Sequence, residues 1–220
     1  MKKDLDIQKN VMDELKWTPL LNANEIGVSV KNGIVTLSGI TDSYPKKIKA
    51  ERAVRNVPGV RGIAEDIKVR LNGKYKKTDP EIAQAVLNEL EWHCNLEADK
   101  IKILVDDGCV SLEGMVDWHF QKKSTEKAIR NITGVREIIN NIKVKAVAPL
   151  ADIKSKIESS FQRNASLDAK KINIEVQGNK VILSGTVRSW TEKLDAEDSV
   201  WSASGVTSVE NKLECEDEIY

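Results

Sequence analysis

The sequence contains few of the residues that usually carry chemistry or cross-links. Its 220 residues include two His, three Cys and two Phe, and 34 Lys plus Arg balance 34 Asp plus Glu. A net charge of zero excludes the chain-wide basic field that is typical of nucleic-acid-binding proteins. No apolar run approaches the ~20 residues that a membrane-spanning helix needs. Three cysteines without a regular spacing indicate reduced thiols rather than a disulfide framework.

The first ten residues, MKKDLDIQKN, lack the apolar core of a secretory signal. We therefore expect a cytoplasmic protein from the sequence as it stands, and a periplasmic one if a signal peptide has been removed.

The main feature that is present is an internal repeat. Three stretches share one pattern, and each is followed twenty residues after its last glycine by a Gly–Val step. They are VKNGIVTLSG ending at Gly39, VDDGCVSLEG ending at Gly114 and VQGNKVILSG ending at Gly185. The second copy is offset from the first by 75 residues and the third by 146. A constant offset at several landmarks indicates a tandem triplication.

Each copy predicts the order helix, hairpin, helix, strand. Ile7, Val11 and Leu15 form one apolar helical stripe, and Asn32-Gly33 is typical of a two-residue hairpin turn. The predicted fold is α+β: three tandem α-β-β-α-β domains, each a three-stranded sheet with two helices on one face. The predicted domains are residues 1–72, 78–146 and 149–217.

Two positions depart from the simplest pattern. The third copy has Gly178-Asn179 at its turn, which predicts a left-handed Asn179 in place of glycine. In the last strand, Glu65, Asn140 and Asn211 fall where apolar residues are expected. This predicts a bulge or the open end of the sheet.

This order resembles the BON-domain family. The motif G-x-V-x-L-x-G closes the hairpin at Gly33 to Gly39 and at Gly108 to Gly114, and Asn179 replaces its first glycine in the third copy. The resemblance implies a bacterial, non-catalytic protein that binds phospholipid or membrane surfaces, often in osmotic or envelope stress.

The copies share almost no polar residues, so we expect no catalytic residue, no metal site and no cofactor. A shared catalytic machine would leave repeated Ser, His, Asp or Glu. His93, Cys94, Cys109 and His119 all lie in the second copy, without the spacing of a metal site or a Cys–His nucleophile.

A basic cluster is the candidate binding site. The predicted second helices of copies one and two carry nine cations, expected mostly to face water and to bind anionic lipid or another membrane surface. These residues are Lys46, Lys47, Lys49, Arg52, Arg55, Lys122, Lys123, Lys127 and Arg130. In copy three the same helix carries Asp195, Glu197 and Asp198. The alternative interpretation of the cluster is an ordinary solvated helix face.

Tryptophan is frequent, with five residues against two Phe. Trp17 and Trp92 end the first helices and are expected to cap the core. Trp201 replaces Arg55 on an expected outer face, and Trp118 and Trp190 lie beside the second helices, which makes these three candidate interface residues.

Two partners therefore stay open. The first is an anionic phospholipid or membrane surface bound peripherally. The second is a protein partner or a second copy of the chain, engaged by the acidic third copy and Trp201. Nucleic acid is disfavoured, because a basic-flanked G-x-x-G loop and an aromatic pair on the sheet are both lacking.

Overall fold

A computed structural model describes residues 4–71, 73, 76–93, 100–145, 153–164 and 167–215. The side chain of His93, the residue Cys94 and the linker 146–151 lie outside the described part.

The three predicted units are present, each with two helices and three strands. Domain 1 consists of α1 (Asp4–Trp17), β1 (Ile26–Lys31), β2 (Ile34–Thr41), α2 (Tyr44–Arg55) and β3 (Gly62–Val69). Domain 2 consists of α3 (Asp79–His93), β4 (Ile101–Asp106), β5 (Cys109–Val116), α4 (His119–Ile129) and β6 (Glu137–Val144). Domain 3 consists of α5 (Ile153–Arg163), β7 (Ile172–Gln177), β8 (Lys180–Val187), α6 (Trp190–Trp201) and β9 (Ser208–Cys215).

In each sheet, the strand that is second in chain order is the central strand. In domain 1, β2 pairs antiparallel with β1 through the hairpin and parallel with β3 after the crossover through α2. Domains 2 and 3 repeat this order and register. The predicted fold class is confirmed: the chain is α+β, with three tandem domains of a three-stranded sheet and two helices.

The core of each domain lies between its helices and its sheet. The α1 stripe of Ile7, Val11 and Leu15 is buried against Val35 and Leu37 of the central strand. The same stripe is buried in α3 and α5. A stripe spaced four residues apart lies on one face of a helix, so each helix has a single apolar face to bury.

The last glycine of the repeated motif is fixed by a close backbone approach. Gly39 has a φ of +133°, and an added Cβ would lie 2.1 Å from the carbonyl oxygen of Glu25. Gly114 and Gly185 meet the carbonyls of Lys100 and Lys171 in the same way. Only glycine fits there, because a side chain would collide with backbone that cannot move aside.

The turn of the third copy differs from the prediction. The left-handed residue is Gly178, with a φ of +62°, and Asn179 is not among the residues of positive φ. Glycine at the first of two turn residues is typical of a type II′ hairpin, in which the second residue needs no special conformation.

The last strands contain no bulge, since β3, β6 and β9 pair residue for residue with the central strands. The predicted bulge is therefore wrong, and the open-edge explanation holds. The Nδ2 atoms of Asn140 and Asn211 donate to the carbonyls of Lys122 and Lys193, each at 3.0 Å. Their partners lie at the start of the second helix, which accounts for polar residues on the core side of an edge strand.

Candidate functional site

The predicted cation cluster lies on α2 and α4, but much of it is already paired. On α2, Lys46 bonds to Asp42 at 2.6 Å and Lys47 lies 3.6 Å from Glu65. Arg55 pairs with Glu51 one helical turn before it. These contacts lower the positive charge that α2 offers to a ligand.

Helix α4 shows the same neutralisation. Arg130 pairs with Glu126 at 2.9 Å, and Lys123 pairs with Asp198 of domain 3. Lys122 is half-buried, and burial lowers its pKa. The cluster therefore differs from the expectation that most of its cations face water, because five of the nine form ion pairs.

Four cations of the cluster make no ion pair within the described ranges: Lys49, Arg52, Lys122 and Lys127. Of these, Lys122 is half-buried, and Arg52 and Lys127 are exposed and occupy one repeat position. Domain 3 has Asp198 at that position, so the surface charge there reverses between copies.

The second helices also form the contacts between domains. Tyr44, the first residue of α2, is buried in the core of domain 2, where Ile48 and Val69 of domain 1 also pack. Burial, with the charge of Glu126, raises the pKa of Tyr44 to about 12. The first turn of α2 is thus an anchor on domain 2.

Domains 2 and 3 meet through an aromatic pair. The rings of His119 and Trp201 are stacked with centroids 3.9 Å apart and planes 8° from parallel. Trp201 is therefore half-buried at a contact within the chain, and the expected open outer face is not found. Burial, with the nearby charges of Lys123 and Lys122, lowers the pKa of His119 to about 4.

The other two candidate interface tryptophans lie at the starts of second helices. Trp118 precedes α4 and is 45 % exposed. Trp190 begins α6 and is half-buried, and its indole Nε1 is buried without a hydrogen-bond partner. Lys193 lies over the Trp190 ring at 5.5 Å.

The ends of the first helices differ most from expectation. Trp17 is 84 % exposed and Trp92 is 86 % exposed, so neither ring caps a core. The exposed Leu20 follows three residues after Trp17. The exposure of Trp17 could have been predicted from the sequence, because a residue two places beyond Leu15 lies about 200° around the helix from the buried stripe.

The described residues offer little for catalysis or metal binding. Among them, no group of three or more His, Cys, Asp or Glu is placed to hold a metal ion. Burial raises the pKa of the thiols of Cys109 and Cys215, which disfavours the nucleophilic thiolate. Within the same part of the chain, no helix is long and apolar enough to span a bilayer.

A cleft of about 390 Å³ opens between β3 and the β4–β5 hairpin. Its walls carry both signs of charge, including Lys47, Glu65, Arg136 and Glu137. Burial raises the pKa of Glu65 and the neighbouring Lys47 lowers it, with burial the larger effect. The cleft thus lies between domains 1 and 2, has walls of mixed charge, and lacks the predominantly apolar lining of a small-molecule pocket.

Fold and surface define a class of protein: small α-β-β-α-β domains in tandem, with repeated packing residues and a varied surface. The model of the BON domain matches residues 3–70, 78–146 and 149–217. The chain belongs to the BON-domain family.

Two curated relatives are similar over about half of this chain. Osmotically-inducible protein Y of Escherichia coli is 26% identical over 129 residues, which cover 57% of this chain and 64% of that protein. The match thus spans less than two thirds of the relative's length. An uncharacterized protein in the gshII 5′ region of Anaplasma centrale is 25% identical over 125 residues, 56% of this chain and 83% of that protein.

Two solved structures also align over most of the chain. One is the C-terminal domain of CdsD, a structural protein of the type III secretion system of Chlamydia trachomatis, with 11% identity, 98% and 100% coverage and a TM-score of 0.26. The other is the PrgH periplasmic domain, with 12% identity, 88% and 96% coverage and a TM-score of 0.22. Such low scores carry no inference about this chain.

Proposed function

We propose that the chain is a non-catalytic protein that associates peripherally with anionic phospholipid surfaces. The observation that carries this proposal is the exposure of Trp17 and Trp92 at one repeat position of two domains. Tryptophan is favoured at the boundary between headgroups and acyl chains, where its ring is shielded and its N–H stays wet.

The unpaired cations supply the second element. Arg52 and Lys127 are exposed and Lys49 is half-buried, and each cation near an anionic lipid surface contributes about 1 kcal/mol. This attraction reaches over roughly a Debye length of 10 Å at 0.1 M salt, so the cations need not lie beside the indoles.

The comparisons support a role in stress. Membership of the BON-domain family and the similarity to osmotically-inducible protein Y favour a response to osmotic or envelope stress. The proposal of a binding role without catalysis also agrees with the raised thiol pKa values of Cys109 and Cys215.

Vesicle co-sedimentation tests the proposal. Vesicles of phosphatidylcholine with increasing phosphatidylglycerol should bind the wild-type chain increasingly well, and added salt should weaken binding. If each indole buries about 60 Å² of apolar surface, each of Trp17→Ala and Trp92→Ala should weaken binding about tenfold.

The matched control is Phe120→Ala. Phe120 is 64 % exposed at the start of α4, so the variant removes an exposed aromatic ring elsewhere. It should bind like the wild type. If the wild-type chain fails to sediment with anionic vesicles, or the tryptophan variants bind as well as Phe120→Ala, the proposal is wrong and a protein partner for these indoles becomes the better explanation.

A further inference from the structure

The contacts between domains follow one rule of repeat positions. Tyr44, His119 and Trp190 are equivalent under the offsets of 75 and 146 residues. Arg55, Arg130 and Trp201 form a second equivalent set. The first set starts the second helix of each domain, and the second set lies at its end.

Two domain contacts obey this rule directly. His119 of domain 2 stacks on Trp201 of domain 3, which joins the first set to the second. Tyr44 of domain 1 is buried in domain 2, where Arg130 is close enough to act on its pKa. Each second helix thus places its start against the end of the next domain's second helix.

The third contact leads back from domain 3 to domain 1. Thr191, beside Trp190, donates to Asn56, beside Arg55, at 2.9 Å. The charge of Arg61 in domain 1 also acts on Cys215 of domain 3.

A separate pair of positions repeats the pattern. Val69 and Cys215 are equivalent, as are Arg61 and Arg136. Val69 of domain 1 and Arg136 of domain 2 line one cleft. Cys215 of domain 3 and Arg61 of domain 1 are the equivalent pair at the contact between domains 3 and 1. The three domains therefore follow one another head to tail around a closed ring, which is the geometry that equivalent heterologous contacts produce when they close.

Closure has a geometric consequence. A rotation that carries each domain onto the next keeps every position at the same height along the ring axis. Trp17, Trp92 and Arg163 are equivalent positions at the ends of α1, α3 and α5, and all three are exposed. They therefore lie at one height along the ring axis, in a plane perpendicular to it.

We propose that this plane is the membrane footprint of the ring, meaning the surface that lies against the bilayer. Trp17 and Trp92 enter the lipid headgroup region there, and Arg163 is a third contact that binds lipid phosphate. The proposal rests on the proposed function and deepens it. Arg163 makes no ion pair within the described residues, so its guanidinium is available. A planar guanidinium binds phosphate through two parallel hydrogen bonds, which suits it to this position.

The test compares two residues of α5 by co-sedimentation with phosphatidylcholine–phosphatidylglycerol vesicles. Arg163→Glu should weaken binding about tenfold more than Lys156→Glu, which makes the same change of charge at another exposed position of the helix. Arg163→Trp should strengthen binding to pure phosphatidylcholine vesicles several-fold, because it places a third indole in the plane. Lys156→Trp should not.

The outcomes separate the two proposals. If wild-type binding depends on Trp17 and Trp92 while the Arg163 and Lys156 variants behave alike, the footprint is wrong and the proposed function stands. If the wild-type chain does not bind vesicles, both are wrong. Circular dichroism of each variant checks that the fold is unchanged.

Discussion

Domains 1 and 2 have the same buried core positions as domain 3, and they differ from it on the surface. Trp17 and Trp92 end the first helices of the first two domains, where domain 3 has Arg163. On the second helix, Arg52 and Lys127 correspond to Asp198. The buried stripes, the sheet order and the last glycine of the hairpin motif are kept in all three.

The difference teaches where tandem copies of one fold can divide their work. Packing restricts the core positions equally in each copy, because a change of one methylene is felt in a close-packed interior. Surface positions are free of that restriction. Domain 3 has lost the exposed indole and has acquired an acid that pairs with Lys123 and a tryptophan that stacks on His119.

The largest expected effect tests whether domain 3 has the same core as domain 1. Phe161 takes the place of Leu15, and each is 1% exposed. Phe161→Ala should lower the free energy of unfolding by about 4 kcal/mol and Leu15→Ala by about 3 kcal/mol, because each leaves a cavity. Guanidinium unfolding followed by circular dichroism measures both.

Leu5→Ala on the exposed side of α1 is the control and should change stability by less than about 0.5 kcal/mol. Equal losses for Phe161→Ala and Leu5→Ala would show that the third domain lacks the core described for it.

A smaller effect distinguishes how domains 2 and 3 stabilise the start of the second helix. Glu192 of domain 3 accepts hydrogen bonds from the backbone N–H groups of Asp168 at 2.9 Å and Arg188 at 2.7 Å. The equivalent Gln121 accepts one from Trp118 at 2.9 Å. Burial alone would raise the pKa of Glu192, but the hydrogen bonds from Arg188 and Asp168 outweigh it, so the pKa is lowered.

A carboxyl whose pKa is lower in the folded state stabilises the fold above its unfolded pKa of about 4.5, and this contribution is lost as pH falls through the folded value. Glu192→Gln should therefore cost about 2 kcal/mol at pH 7 and less at pH 3. Urea unfolding at both pH values measures this. Glu158→Gln, exposed on α5, should show neither effect, and a cost for Glu192→Gln that is equal at both pH values would contradict the pKa argument.

Much of the fold could be predicted, because triplication repeats each packing requirement. The stripe of Ile7, Val11 and Leu15 and the close approach at Gly39 depend on local geometry that the sequence displays directly. The wrong predictions have local causes as well. Gly178, and not Asn179, has the positive φ of the turn, and a hydrogen bond accommodates Asn140 without a bulge.

The candidate site could be predicted only in part. Charge counts locate the cations of α2 and α4, but not that Lys123 pairs with Asp198, 75 residues away. Trp201 is recognisable as unusual from the sequence, because Arg stands at its position in the other copies. Its partner His119 could not be predicted, because the sequence of one copy does not show which residue of another copy it contacts.

The smallest expected effect concerns the contact between domains 2 and 3. His119 has a pKa of about 4 when stacked on Trp201, because burial disfavours its charged form. A free imidazole titrates near 6.5. A base whose pKa is lowered by docking favours the docked state above pH 6.5, and this preference declines as pH falls toward 4. The stacked pair contributes about 1 kcal/mol.

Nuclear magnetic resonance titration of the His119 ring protons measures this contact. The wild-type ring should titrate near pH 4, and in Trp201→Ala its pKa should rise toward 6.5, because the covering ring is gone and the site opens to water. Phe120→Ala, one residue away and exposed, should leave the titration near 4 and serves as the control. A wild-type His119 that titrates near 6.5 would mean that domains 2 and 3 do not stay docked in solution, and the closed ring would then be lost while each domain kept its fold.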